Sequence, residues 1–68
     1  MDIRQIDEAI IEHIERTNGE SPQQMHSLAY QITKYTDSDG FRVIDRRTQS
    51  LRRRDKISCV GRKWRVNK

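Results

Sequence analysis

The sequence predicts an α+β fold: three helices followed by a C-terminal two-stranded β-hairpin. Two observations predict it. Apolar residues recur at helical spacing through the first three quarters of the chain, and beyond Lys56 the spacing changes to two. A third observation, the 68-residue length, limits the chain to a single domain over residues 1–68, because so short a chain buries only about 60% of its unfolded surface. With 32% hydrophobic and 35% charged residues and a mean hydropathy of -1.04, the spacing of the apolar residues must specify the core.

Ile3, Ile6, Ile10 and Ile14 fall at i, i+3, i+7 and i+11, with Ile11 on the flank, which predicts a first helix over about 3–18 with that stripe inward. Asp2 is placed to cap it with Gln5 three residues on, and Asn18-Gly19 supplies a left-handed stop. Glu8, Glu12 and Glu15 lie on the opposite, solvent side. Ser21-Pro22-Gln23-Gln24 combines an N-cap serine, proline at the first helical position and a glutamine able to close a capping box, so a second helix is expected over about 22–35. Met25, Leu28, Ala29 and Ile32 form its inner face, leaving Tyr30 and Lys34 outward.

The turn cluster Thr36-Asp37-Ser38-Asp39-Gly40 offers several N-caps for a third helix over about 40–54, whose inner face is Phe41, Ile44, Thr48 and Leu51. Alternation in Ile57-Ser58-Cys59 and in Trp64-Arg65-Val66, about Gly61-Arg62-Lys63, predicts the hairpin over about 57–66, with Trp64 and Val66 inward.

The formal net charge of +4 is unevenly distributed. Residues 1–20 hold two bases against six acids, residues 21–40 one base against two acids, and residues 41–68 eleven bases against two acids. The usual partner of so strong a positive field is a polyanion, with nucleic acid foremost.

On a helical wheel centred on Ile44, Leu51 lies about 20 degrees to one side and Thr48 about 40 to the other. The far side carries Arg42, Arg46, Gln49 and Arg53 at i, i+4, i+7 and i+11, with Ser50 beside them. A merely solvated face more often mixes glutamate with lysine, whereas this one has no acid along its centre; Asp45 sits at the edge, within reach of an arginine. Arginine can bond bidentately to guanine, glutamine to adenine, and serine to bases or phosphate. Arg62, Lys63 and Arg65 form a second basic group at the hairpin tip, suited to phosphates, although charges on an edge strand also guard against aggregation.

The order of elements, with a basic third helix, resembles the winged helix-turn-helix superfamily over nearly the whole chain. In that family an apolar residue opens the recognition helix, others follow at plus four and plus seven, a turn residue often glycine comes near plus eleven, and an aliphatic residue begins the wing. Ile44, Thr48, Leu51, Asp55 and Ile57 occupy those places, with Thr48 where leucine is usual and Asp55 where glycine is usual. The stretches Ile44-Asp45-Arg46, Ser50-Leu51 and Trp64-Arg65-Val66 are also similar to the branch that binds left-handed DNA. That branch relies on an asparagine and a tyrosine where this chain has Asp45 and Gln49, and on prolines where it has Arg62-Lys63, so left-handed DNA is set aside. Small free-standing members of the superfamily include phage and plasmid regulators and excisionases.

His13, His26 and Cys59 lie on separate elements without the spacing of a zinc site, and a calcium loop beginning at Asp37 would need its bidentate acid at Thr48. Neither a metal nor a cofactor is expected, and no nucleophile, paired acid or glycine-rich phosphate loop supports catalysis. A single cysteine suits a reducing compartment, and no apolar run is long enough to span a membrane, so a soluble, cytoplasmic protein is expected.

The leading functional expectation is a sequence-reading or architectural protein for double-stranded DNA, of the transcriptional-regulator or phage/plasmid type. Its DNA-binding residues would be Arg42, Arg46, Gln49, Ser50, Arg53, Arg62, Lys63 and Arg65, with the third helix in the major groove and the wing on the backbone. The alternative is a winged helix serving as a protein-interaction module. Structured RNA ranks third, since only four residues are aromatic and no pair is placed for base stacking. A homodimer or cooperative assembly on DNA is compatible with the chain, although its sequence shows no heptad or apolar patch for an interface.

Overall fold

The computed structural model describes residues 2–67. Helix α1 spans Ile3–Thr17. The Gln5 backbone N–H donates to Asp2 Oδ1 at 2.9 Å while the Asp2 N–H donates to Gln5 Oε1 at 3.1 Å, closing the expected capping box. Its C-terminus is a Schellman arrangement in which Asn18 adopts φ 60, the Gly19 N–H donates to the Ile14 carbonyl at 3.0 Å, and the Asn18 N–H donates to Glu15 at 3.4 Å.

The second helical segment differs from the sequence expectation. Pro22–Gln24 forms a 3₁₀ turn, the chain breaks at Met25, and helix α2 runs from His26 to Thr36. Ser21 Oγ accepts from the Gln23 N–H at 3.2 Å, two residues on, so the predicted box with Gln24 does not close. The break has a packing reason: it buries Pro22 and lets Gln23 Nε2 donate to Asp45 Oδ1 on the third helix at 3.3 Å.

Helix α3 spans Gly40–Arg53, capped by Asp39, whose Oδ1 accepts from the N–H groups of Phe41 and Arg42 at 3.0 and 3.4 Å. It ends in a second Schellman arrangement: Lys56 N–H to Leu51 carbonyl at 2.9 Å, Asp55 N–H to Arg52 carbonyl at 3.1 Å, and Asp55 at φ 58. Asp55 thus adopts the left-handed backbone at the place where the resemblance expects glycine. Strands β1 (Ile57–Val60) and β2 (Lys63–Val66) then pair antiparallel with Ile57 opposite Val66 and Cys59 opposite Trp64. Three helices followed by this hairpin make the layout of a winged helix-turn-helix.

One core is formed by Ile6, Ile10, Ile14, Leu28, Ala29, Ile32, Ile44, Leu51 and Ile57, with Met25, Val43, Trp64 and Val66 packed against it. Two buried polar side chains are satisfied within it. Thr48, 3% exposed, donates its hydroxyl to the Ile44 carbonyl at 2.7 Å, and the His13 Nε2 lies 3.2 Å from the Ser21 carbonyl.

Two expected inner residues lie outside this core. Ile3 is 57% exposed, because its side of the first turn opens onto a groove bordered by Arg54 and Lys56. Phe41 is 47% exposed and sets its ring edge-on to His26 with centroids 5.3 Å apart. The inner position at the start of α3 is taken instead by Gly40, which lies so close to α2 that a Cβ there would fall 1.8 Å from the Ala29 carbonyl oxygen. No helix among the described residues is long and apolar enough to cross a membrane.

Glycine to alanine in a helix ordinarily gains about 0.5–1 kcal/mol, but Gly40→Ala must push two backbones apart. We expect it to destabilise the domain by about 1–3 kcal/mol and lower Tm by about 5 °C or more, read by thermal circular dichroism. An unchanged or raised Tm would mean that the helices do not meet this closely.

Candidate nucleic-acid interface

Helix α3 divides its residues between two tasks. Ile44, Thr48 and Leu51 point into the core, and this fixes the rotation of the helix about its axis. Arg42, Arg46 and Arg53 are consequently exposed, and Gln49 and Ser50 are half-buried beside them. Among the described residues no ion pair engages the three arginines. Asp45, at the edge of this face, accepts from Gln23 rather than from an arginine, because the 3₁₀ turn lies alongside it.

The hairpin presents the second basic group. Gly61, at φ 65, makes the two-residue turn with Arg62, and Lys63 and Arg65 alternate with the inward-facing Trp64 and Val66. Arg62, Lys63 and Arg65 are all exposed. The wing is held to the rest of the fold at both ends. The Trp64 N–H donates to the Gly19 carbonyl at 3.0 Å, and Gly19 lies so near that a Cβ would come 2.9 Å from the Trp64 carbonyl oxygen. At the base, the Asn67 N–H donates to the Lys56 carbonyl at 2.9 Å and its Nδ2 to the Asp55 carbonyl at 3.0 Å. The Arg52 guanidinium sits 6.0 Å from the centroid of the Trp64 ring, joining the last turn of α3 to the wing. The outer face of α3 and the hairpin therefore keep a fixed relation.

Two side chains not singled out from the sequence set the geometry between α1 and α3. Arg47 Nε donates to Asp7 Oδ1 and Nη2 to Asp7 Oδ2, both at 2.8 Å, with the two side chains 18% and 15% exposed. The hydrogen bond to Asp7, reinforced by its charge, raises the pKa of Arg47 against the opposing effect of partial burial. This fork-on-fork pair removes one arginine of α3 from any external anion and one acid of α1 from the solvent. A signal for it exists in the sequence. Asp7 and Arg47 each lie about 60 degrees from the centre of their own apolar stripes, the flank from which a charged side chain crosses to a neighbouring helix. Arg52, Arg54 and Lys56 add exposed bases near the end of α3.

No group of three histidine, cysteine or acidic side chains among the described residues could hold a metal ion. What the arrangement offers chemically is a row of guanidiniums and one amide on a convex helix, with a cationic hairpin beside it.

The Asp7–Arg47 pair is better placed than a fully exposed one, being bidentate and mostly shielded from water. A double-mutant cycle of Asp7→Ala and Arg47→Ala in urea denaturation should give a coupling energy of about 1 kcal/mol, the upper end for exposed pairs. A coupling near zero would show that the contact does not hold α1 against α3.

Comparison with family models, curated proteins and solved structures finds no match, so the functional reading rests on this geometry.

Proposed function

We propose that this chain is a sequence-reading or architectural DNA-binding protein of the winged helix-turn-helix kind, a small transcriptional regulator or a phage- or plasmid-type factor acting in the cytoplasm. One observation carries the reading: Arg42, Arg46, Gln49 and Arg53 line the outer face of α3 without an acid between them, while the neighbouring acids Asp39 and Asp45 are engaged by the α3 cap and by Gln23. A B-DNA major groove, about 12 Å wide, admits a helix presenting such a face.

In this reading α3 enters the major groove. Arg42, Arg46 and Arg53 bond guanine edges or grip phosphates, Gln49 pairs with adenine, and Ser50 donates to a base or a phosphate. Arg62, Lys63 and Arg65 hold the flanking backbone and set the register. Trp64 acts through position, since its inner face is packed on the core and against Arg52.

A second reading, a protein-interaction module, is favoured by the exposed Tyr30 and Tyr35 of α2, at 71% and 69%. Salt separates the two. If six phosphates are neutralised, affinity for DNA falls about 10³-fold between 50 and 200 mM salt.

The test is an NMR titration with a random-sequence duplex at those two salt concentrations. Shifts confined to residues 42–53 and 61–65, fading as salt rises, are expected. Their absence at low salt would overturn the DNA reading. Once a preferred site is known, Arg46→Ala should weaken binding by about 1–3 kcal/mol and relax specificity. Lys63→Ala should weaken all duplexes alike and reduce the salt slope by about 1. Equal, sequence-independent losses for both variants would remove the base-reading role from Arg46.

A further inference from the structure

Asp45 is the one acid in α3, and it stands at the edge of the basic face, about 40 degrees from Gln49 and about 60 from Arg42 on the helical wheel. It is exposed, yet no arginine pairs with it among the described residues. Its partner is instead Gln23 of the 3₁₀ turn, whose Nε2 donates to Oδ1 at 3.3 Å. Gln23 is held in turn: its N–H donates to Ser21 Oγ at 3.2 Å, and its neighbour Pro22 is buried. One carboxylate oxygen is thus occupied by a side chain from a fixed turn, and Oδ2 is left without a partner among the described residues. The result is an oriented carboxylate with one open acceptor, beside a row of guanidiniums and one amide.

We infer that Asp45, oriented by Gln23, is a specificity-determining residue that selects cytosine in the major groove. This role rests on the DNA reading above and names one base of the site. An ionised carboxylate only accepts hydrogen bonds. In the major groove guanine offers N7 and O6 and thymine offers O4, all acceptors, which repel it. Adenine offers an amino donor beside the acceptor N7, a pair that suits the amide of Gln49. Cytosine offers its N4 amino group with no acceptor of its own beside it, so it alone matches a single open carboxylate oxygen. The charge also acts against wrong contacts. A register that lays Asp45 on a phosphate, or on a base without an amino donor, sets a carboxylate against negative charge and is disfavoured. Asp45 therefore lowers affinity for most duplexes, whereas the arginines raise it.

The experiment selects bound duplexes from a pool randomised at its centre, with wild type, Asp45→Ala, Asp45→Asn and Gln23→Ala, and then titrates the four duplexes that differ at the affected base pair, at about 50 mM salt. Wild type should prefer cytosine at one position by about fivefold or more. Asp45→Ala should lose that preference alone and bind the guanine and thymine duplexes at least as tightly as wild type does, a gain that no arginine variant gives. Asp45→Asn should turn the preference toward adenine, which an amide matches. Gln23 is a positioning residue, so Gln23→Ala should reduce the same preference in part, at the same position. Both side chains are exposed, and circular dichroism should be unchanged in all three variants. A lowered Tm with base preference intact would make the contact a fastening of the 3₁₀ turn and overturn the inference. A preference that never falls on cytosine at an Asp45-dependent position, or binding without any preference, also overturns it and leaves the DNA reading standing. No binding to any duplex overturns both.

Discussion

The contact of α3 with α2 at Gly40 is the constraint on which the rest of the molecule depends. With a hydrogen at this position in place of a side chain, the first turn of α3 lies directly on the Ala29 carbonyl. Thr33 Oγ1 consolidates the crossing, accepting from the Gly40 N–H at 2.8 Å and donating to the Ala29 carbonyl at 2.9 Å. Everything downstream takes its place from this point. Phe41 is displaced outward onto His26, Ile44 and Leu51 enter the core, and the arginines of the far face are turned to solvent. The same contact that closes the core thus aims the candidate site.

A core of this size does not hold loosely attached elements, and the connections are accordingly fixed by backbone bonds. The α1 terminus at Asn18-Gly19 serves two ends of the chain at once, stopping the helix and accepting the Trp64 N–H of the wing. Asp55 turns the chain out of α3 in the left-handed region, and its carbonyl is then held by Asn67. A wing anchored at Gly19, at Asn67 and by Arg52 on Trp64 has few positions open to it. The backbone that carries its cations is therefore ordered, while the exposed side chains of Arg62, Lys63 and Arg65 keep their rotamer freedom.

The regular parts of this fold were legible because each rests on local rules. The isoleucine spacing, the Asp2–Gln5 box, the left-handed stop and the change of period at the hairpin are written within a few residues of where they act. The misses arise where distant segments meet. Ser21 to Gln24 carries every mark of an α-helical start, yet packing under α3 turns it into a 3₁₀ turn. Phe41 obeys the helical period but is displaced by a backbone contact that only the three-dimensional crossing of two helices reveals. The charged flank partners Asp7 and Arg47 are separated by 40 residues, and nothing local to either one names the other. The outer face of α3 was legible because it is the complement of the apolar stripe, and buried Thr48 kept that stripe complete by bonding its own helix.

Charge placement joins fold and site. Eleven bases in residues 41–68 repel one another, and a compact state must hold them together. The acids do not neutralise this field evenly. Asp7 is spent on Arg47 at the α1–α3 seam, Asp39 caps α3, and Asp45 is held by Gln23, while Glu8 and Glu12 lie on the solvent side of α1. Arg42, Arg46 and Arg53 are therefore left without an internal counterion among the described residues. In the DNA reading proposed above, a polyanion whose charges are spaced along a groove relieves the repulsion along that row, and its binding stabilises the folded form by mass action. An arrangement that spends its acids on seams and caps, and leaves its outer cations unpaired, places the positive potential where a ligand can reach it.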